Sequence, residues 1–158
     1  MYPLQPLDPN SYSFNTNTGA LYVIRFTPAF TKYAPECTLR MQVEEVAFGL
    51  VAGIVPRHDK EICETISDSV FSRCLEKVGA VIFICDSSDD RQRHRAITFR
   101  NWNSRFNSDG NFIFLNTTIE AEDGMLYVGI IIARDNPQAQ KFVDEFDYMV
   151  DKLSNYQI

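Results

Sequence analysis

The chain has 158 residues, a formal charge of −6, 45% hydrophobic residues and 23% charged residues, which is ordinary for one globular domain. The acidic balance argues against a wholesale nucleic-acid binder, because such proteins usually carry a basic surface. No apolar run approaches the roughly 18 residues of a membrane span, and the amino-terminal segment lacks the pattern of a signal peptide. These features predict one cytoplasmic domain over residues 1–158, without membrane contact.

The first part of the chain has the pattern of β-structure. Residues 1–10 are rich in proline and predict an extended lead-in. Alternating apolar residues on both sides of Gly19 predict a β-hairpin. A third strand is predicted from Leu39 onward, and a slip in its alternation at Glu44 and Glu45 predicts a β-bulge.

A helix and a buried strand are predicted next. Apolar residues at helical spacing predict a first helix over residues 59–78, with Asp59 as its N-cap and Gly79 as its stop. The following run, Ala80–Cys85, is apolar on both faces, as in a central strand.

The second half of the chain predicts more helix and strand. A second helix over about residues 89–106 has an apolar stripe of Phe99, Trp102 and Phe106. Two strands, 112–119 and 125–133, form a second hairpin, and Asn136 with Pro137 opens the last helix. The order β-β-β-α-β-α-β-β-α predicts an α+β fold, with a mixed or antiparallel sheet of about six strands packed by three helices.

The turn between the predicted central strand and the second helix is the first candidate site. Turns at the carboxyl end of a strand often hold ligands, because the amides of the next helix point outward. Cys85 and Arg91 have the spacing of cysteine-dependent phosphatases, in which the thiolate attacks phosphorus and the arginine holds the oxygens. Three carboxylates in this turn and the absence of glycine oppose the binding of a phosphate dianion.

The carboxylates of this turn support a second interpretation. Asp86, Asp89 and Asp90 could bind Mg²⁺ through oxygen, with Glu44 or Glu45 as a further carboxylate. The chain would then be a metal-dependent phosphoryl-transfer or hydrolytic enzyme, with Cys85, Asp86 and Asp89 as candidate catalytic residues. Apart from this alternative, no metal and no cofactor is predicted.

A third interpretation is structural, and the pattern favours it. Acidic residues after a strand and before a helix are what N-capping requires, so Asp89 or Ser88 caps the second helix. A carboxylate of the turn then pairs with Arg91 or Arg95, and Cys85 is the last buried residue of its strand.

The second helix is unusually basic. It holds five of the fifteen Lys and Arg residues, namely Arg91, Arg93, Arg95, Arg100 and Arg105. Arg91, Arg93 and Arg95 are the candidates for binding an anion or an acidic partner. The alternative is that the basic helix pairs with the acidic last helix, which the overall negative charge favours.

The four cysteines predict neither a zinc site nor disulfides. No C-x-x-C pair occurs, and the chain has two histidines. Cys63 and Cys74 lie on one face of the first predicted helix, roughly 16 Å apart along its axis, too far to bond each other. All four are therefore predicted to be reduced thiols of a protein in a reducing compartment.

The segment 84–95, Ile-Cys-Asp-Ser-Ser-Asp-Asp-Arg-Gln-Arg-His-Arg, with Phe99 and Trp102 after it, resembles a family of small bacterial proteins of unknown function. The Asp59 helix and the Arg-Asp-Asn-Pro segment ending at Pro137 also fit this pattern. The resemblance covers nearly the whole chain and implies no activity. Where such proteins tend to have glycine, this chain has Asp90, which adds negative charge.

The sequence thus predicts a binding or regulatory module of a bacterial cytoplasmic protein, and leaves open whether the chain is an enzyme. Its partner would be a protein or a small anionic ligand, while nucleic acid is disfavoured.

The predicted clamp of the acidic turn is testable through Arg95. If Arg95 pairs with Asp86 or Asp89, Arg95→Ala should lower the thermal midpoint, because a partly buried carboxylate loses its partner, and the double variant should recover part of the loss. Melting curves with and without phosphate measure this. A stable Arg95→Ala protein that no longer responds to phosphate would identify an anion site instead.

Overall fold

The computed structural model describes residues 1–29, 36, 38–39, 42–54, 59–85, 101, 103–121 and 124–156, with the backbone alone at 85, 121, 155 and 156. The strands are β1 Gln5–Asp8, β2 Ser11–Asn15, β3 Leu21–Pro28, β4 Val43–Ala52, β5 Ala80–Cys85, β6 Phe112–Ala121 and β7 Gly124–Ala133. The helices are α1 Lys60–Glu76, α2 (helical at 101 and 103–106) and α3 Ala139–Tyr156.

The seven strands form one mixed sheet in the order β1-β2-β3-β4-β5-β7-β6. Neighbouring strands are antiparallel except for β4 and β5, which are parallel. The predicted α+β class is therefore confirmed, with one strand more than expected. The extra strand is β1, because residues predicted as an extended lead-in pair with β2 at Gln5–Ser13 and Pro6–Tyr12. Pro6 fits there because an edge strand tolerates a missing donor.

The predicted bulge at Glu44 and Glu45 is wrong. The register of β3 and β4 runs without a break from Tyr22–Leu50 to Pro28–Glu44, and its irregularity lies at the other end, next to Leu21. The alternation slips because Glu44 is a buried residue on the core face of β4, where an apolar residue would be expected.

Each face of the sheet is covered by a helix. Helix α1 packs on β5 and β7 through an apolar stripe centred on Ile66, Val70 and Cys74. Helix α3 packs on the opposite face of β6 and β7, through Phe142, Phe146, Met149 and Leu153. Strand β5 lies between these layers with Val81 and Ile82 fully buried, so the prediction of a central strand is confirmed.

The predicted bounds of the first helix and the predicted start of the last helix lie within two residues of the observed ones. Asp59 caps α1, because its carboxylate accepts a hydrogen bond of 2.9 Å from the Glu61 amide. The amide of Gln138 donates in the same way to Asn136, although helical geometry starts two residues later than predicted, at Ala139. The predicted hairpin turn is confirmed at Gly19, whose φ of 85° suits glycine.

Two of the four cysteines are described with their side chains, and both are free thiols. Cys74 is buried, which raises the pKa of its thiol, whereas Cys63 is only half-buried. Cys37 and the side chain of Cys85 lie outside the described residues. None of the helices that are described has the length and apolar character needed to cross a membrane.

Gly129 of β7 is required by close packing. It lies opposite Phe83 of β5, and a Cβ at this position would overlap the buried Phe83 ring, which also stacks on Phe114 at 5.9 Å. Gly129→Ala should therefore lower the free energy of unfolding by about 1–3 kcal/mol, as overpacking does. Urea denaturation measures this loss in the free energy of unfolding. Gly49→Ala is the matched control, since a Cβ there meets open space, and equal losses in both variants would contradict the packing argument.

Candidate functional site

The parallel pair β4 and β5 is the structural centre of the candidate site. These strands are joined through α1, and they separate the amino-terminal half of the sheet from β7 and β6. Both strands end on the same side, so the carboxyl end of β4, the carboxyl end of β5 and the start of α1 share one edge. Ligands of open sheets bind at such a switch point.

The two strands diverge soon after they meet. Their register consists of three residue pairs, Val43–Ala80, Glu44–Val81 and Glu45–Ile82, among the described residues. Beyond that point β4 continues to pair with β3, and β5 continues to pair with β7 as far as Cys85. Among the described residues no ladder joins residues 46–52 of β4 to residues 83–85 of β5, and we name this place where the strands part the β4–β5 opening.

The described side chains beside the opening on the α1 face are apolar. Val46 and Phe48 of β4 lie on the face that packs against α1, with Phe83 of β5. Apolar residues also reach the surface at the end of β4 and just after it, where Val51 and Ile54 are 63% and 88% exposed.

A buried ion pair lies at the narrow end of the opening. The guanidinium of Arg73 on α1 donates from Nε to Oε1 and from Nη2 to Oε2 of Glu44, both at 2.7 Å. Arg73 and Glu44 are 6% and 8% exposed, and the hydrogen bonds that Arg73 donates to Glu44 raise the pKa of Arg73 despite its burial. A bidentate arginine–carboxylate pair is strong and directional, so it fixes α1 against β4 where the strands separate.

The remaining donors of Arg73 bind the turn between β1 and β2. Its Nη2 donates to Asn10 Oδ1 at 2.7 Å, and its Nη1 donates to the carbonyl of Pro9 at 3.1 Å. The guanidinium also lies 4.8 Å from the centroid of the Phe26 ring. One side chain thus joins the helix, a central strand and the first hairpin.

The start of α1 is already occupied by groups of the chain. Besides capping the helix, Asp59 accepts a hydrogen bond of 2.5 Å from the hydroxyl of Tyr2, which raises the pKa of that phenol. The amide of Tyr2 donates to Thr65 Oγ1 at 2.9 Å. With a carboxylate at the first turn, this helix terminus does not favour a further anion.

The structure places few of the residues predicted as a site. Cys85 is the last residue of β5 and pairs with Tyr127, as predicted for a strand end. The other candidates fall outside the described residues, namely Asp86, Asp89, Asp90, Arg91, Arg93 and Arg95, together with Trp102. They stay predictions.

Two sequence-based expectations are corrected by described residues. Glu44, considered as a further magnesium ligand, has both oxygens bound by Arg73. Of the arginines expected to pair with the acidic last helix, Arg105 instead forms its ion pair with Glu64 of α1, at 3.4 Å, while the other four lie outside the described residues. The described part of the chain contains no cluster of three or more metal-binding side chains.

Sequence reasoning missed the Arg73–Glu44 pair, although both residues break the pattern of their elements. Glu44 interrupts the alternation of β4, and Arg73 stands beside the apolar Cys74 on α1. Two opposite charges that both occupy core positions are a signal for a buried pair.

The Arg73–Glu44 pair predicts how single and double substitutions change the free energy of unfolding. Arg73→Met should lower the free energy of unfolding by roughly 3–5 kcal/mol, because it leaves the Glu44 carboxylate buried without a partner. The double variant Arg73→Met with Glu44→Leu should regain much of that loss. Chemical denaturation of both variants and of Glu44→Leu measures the coupling. Strictly additive losses would contradict a direct interaction.

Comparison with solved structures finds partial likenesses at very low identity. FeeM, an N-acyl amino acid synthase from uncultured soil microbes, is 11% identical with a TM-score of 0.43, and the match covers 87% of this chain and 84% of that one. BjaI, a CoA-dependent acyl-homoserine lactone synthase, is 8% identical with a TM-score of 0.40, covering 90% of this chain and 66% of its own length. Scores this low carry no argument about activity.

The family comparison is more informative. No curated protein matches the chain. The model of a family of unknown function, DUF6169, matches residues 58–148. This match covers more than half of the sequence and includes α1, β5, β6, β7 and part of α3. The expected membership in a family without an assigned activity is confirmed, and the chain belongs to the DUF6169 family of unknown function.

Proposed function

We propose that this chain is a non-catalytic binding module, which holds a narrow, extended ligand of the coenzyme A type in the β4–β5 opening. The observation that carries the proposal is the divergence of two central parallel strands after three residue pairs, while each keeps its other neighbour in the sheet. The opening lies at the switch point of the sheet, where ligands bind in folds of this kind.

The chemistry of strand edges suggests the shape of the ligand. Strand addition shows the kind of ligand that suits a site between strands, because an extended chain with amide groups can pair with backbone N–H and C=O groups. A ligand between two backbones must also be unbranched. The pantetheine arm of coenzyme A is extended and unbranched where its two amides lie.

The side chains along β4 support binding over catalysis. Residues 46–54 contain no titratable side chain, and Val46, Phe48 and Phe83 are apolar. General acid–base chemistry needs a positioned proton donor or acceptor, which this part of the border does not supply. An apolar border with backbone groups suits recognition of a ligand.

The anionic end of such a ligand matches the basic segment after β5. Beyond the five residues of the acidic turn that follows Cys85, the chain enters the segment that holds Arg91, Arg93 and Arg95, the candidates that the sequence offers for binding an anion. The start of α1 is a poor alternative, since Asp59 occupies it. We therefore assign the phosphates of the ligand to these arginines as part of the proposal.

Titration of the ¹⁵N-labelled protein with coenzyme A tests the proposal. Amide signals of residues 46–49 and 83–85 should shift, and free pantetheine should shift the same signals more weakly because it lacks the nucleotide phosphates. Gly49→Val should weaken binding about tenfold, equivalent to about 1.4 kcal/mol, because it adds volume beside the opening. The fold tolerates this change, since a Cβ at Gly49 meets no atom within 4 Å.

Ser13→Val is the matched control. Ser13 lies opposite Val23, which lies opposite Gly49, so it is two strands away on the same face of the sheet. The affinity of the Ser13→Val protein for coenzyme A should equal that of the unchanged protein. No shift at saturating coenzyme A would overturn the proposal, and turnover of acetyl-coenzyme A would overturn its non-catalytic part.

A further inference from the structure

The two edges of the sheet differ in how they are protected. Edge strand β1 has four residues, includes Pro6 and has a register irregularity before Asp8. Edge strand β6 has ten residues, contains no proline, and pairs with β7 in unbroken register from Phe112 to Ala121. Short length, proline and bulges are the features by which proteins prevent edge pairing, and β6 has none of them.

The side chain of Asn107 reveals which backbone groups of β6 point outward. Its Oδ1 accepts a hydrogen bond of 3.0 Å from the Phe112 amide, and its Nδ2 donates to the Phe112 carbonyl at 2.8 Å. The carbonyl of the preceding residue, Asn111, instead accepts a hydrogen bond from the Arg134 amide, on the side of the strand that faces β7. The backbone N–H and C=O groups of successive residues in a strand point to opposite sides. The even-numbered residues of β6 therefore present both groups to the outer edge of the sheet.

Four residues therefore remain with outward backbone groups beyond the one that Asn107 covers, namely Phe114, Asn116, Thr118 and Glu120. Among the described residues, β6 pairs with β7 alone. The strand has a single charged residue, Glu120, so its edge carries little charge to repel a partner strand.

We infer that β6 pairs antiparallel with β6 of a second copy of the chain, with the two-fold axis at Thr117. This register hydrogen-bonds Phe114 to Glu120 of the copy and Asn116 to Thr118 of the copy, so it uses all four outward residues. A shift of the axis to Asn116 would require Phe112, which Asn107 already covers.

The side chains suit the same register. On the face that α3 covers, Leu115 lies opposite Ile119 of the copy, an apolar cross-strand pair. Glu120 lies opposite Phe114 of the copy, so the two carboxylates do not face each other. The result is a closed two-fold dimer with one continuous sheet, in which residue i contacts j and j contacts i.

Substitution at Thr118 tests the dimer in solution. Thr118→Pro removes an outward amide without removing a bond to β7, and the matched variant Thr118→Val keeps that amide. Sedimentation velocity should give a dimer for the unchanged protein and Thr118→Val, and a monomer with unchanged circular dichroism for Thr118→Pro. A monomer for the unchanged protein at all concentrations, or a dimer for folded Thr118→Pro, would overturn the inference.

Cross-linking gives an independent test that does not depend on proline. Thr117 faces its own copy at a Cα separation of about 4.5 Å, within the range of a disulfide. Thr117→Cys should therefore form a covalent dimer under mild oxidation. Glu120→Cys is the control, because the two copies of residue 120 lie about 20 Å apart in this register. Failure of Thr117→Cys to cross-link, or equal cross-linking of both variants, would overturn the register.

Discussion

The buried pair of Arg73 and Glu44 is the interaction on which the centre of this fold depends. Glu44 occupies a core position of β4, where an ionised carboxylate without partners would be strongly unfavourable. Arg73 offsets this cost with two hydrogen bonds to the carboxylate and uses its other donors on Asn10 and Pro9. Since neither charge is stable in the core alone, helix, strand and first turn must adopt one relative arrangement.

The position of this pair explains how the sheet can open without losing its order. Glu44 belongs to one of the three residue pairs that join β4 to β5, and the strands diverge immediately after the next pair. On the far sides of the β4–β5 opening, β3 continues to pair with β4 and β7 continues to pair with β5. The opening therefore interrupts one ladder only, at a place where α1 is held firmly by Arg73.

The aromatic core is adapted to the same arrangement. Phe83 begins the part of β5 that β4 no longer joins, and its ring occupies the space that Gly129 leaves on β7. Phe114 stacks on that ring from β6, so packing links the border of the opening to the outer edge of the sheet.

The sequence by itself determined the local elements. These elements depend on residues a few positions apart, so periodicity and capping chemistry predict them. Examples are the cap at Asp59, the turn at Gly19, the run of β5 that is apolar on both faces and the apolar stripe of α3. Tertiary structure alone decided the partners. Arg73 and Glu44 are 29 positions apart, and neither residue indicates by its own pattern which charge it will meet. The pairing of Gln5–Asp8 with β2, and the point where β4 leaves β5, also depend on contacts between distant segments, because a strand pattern specifies a face and not a neighbour.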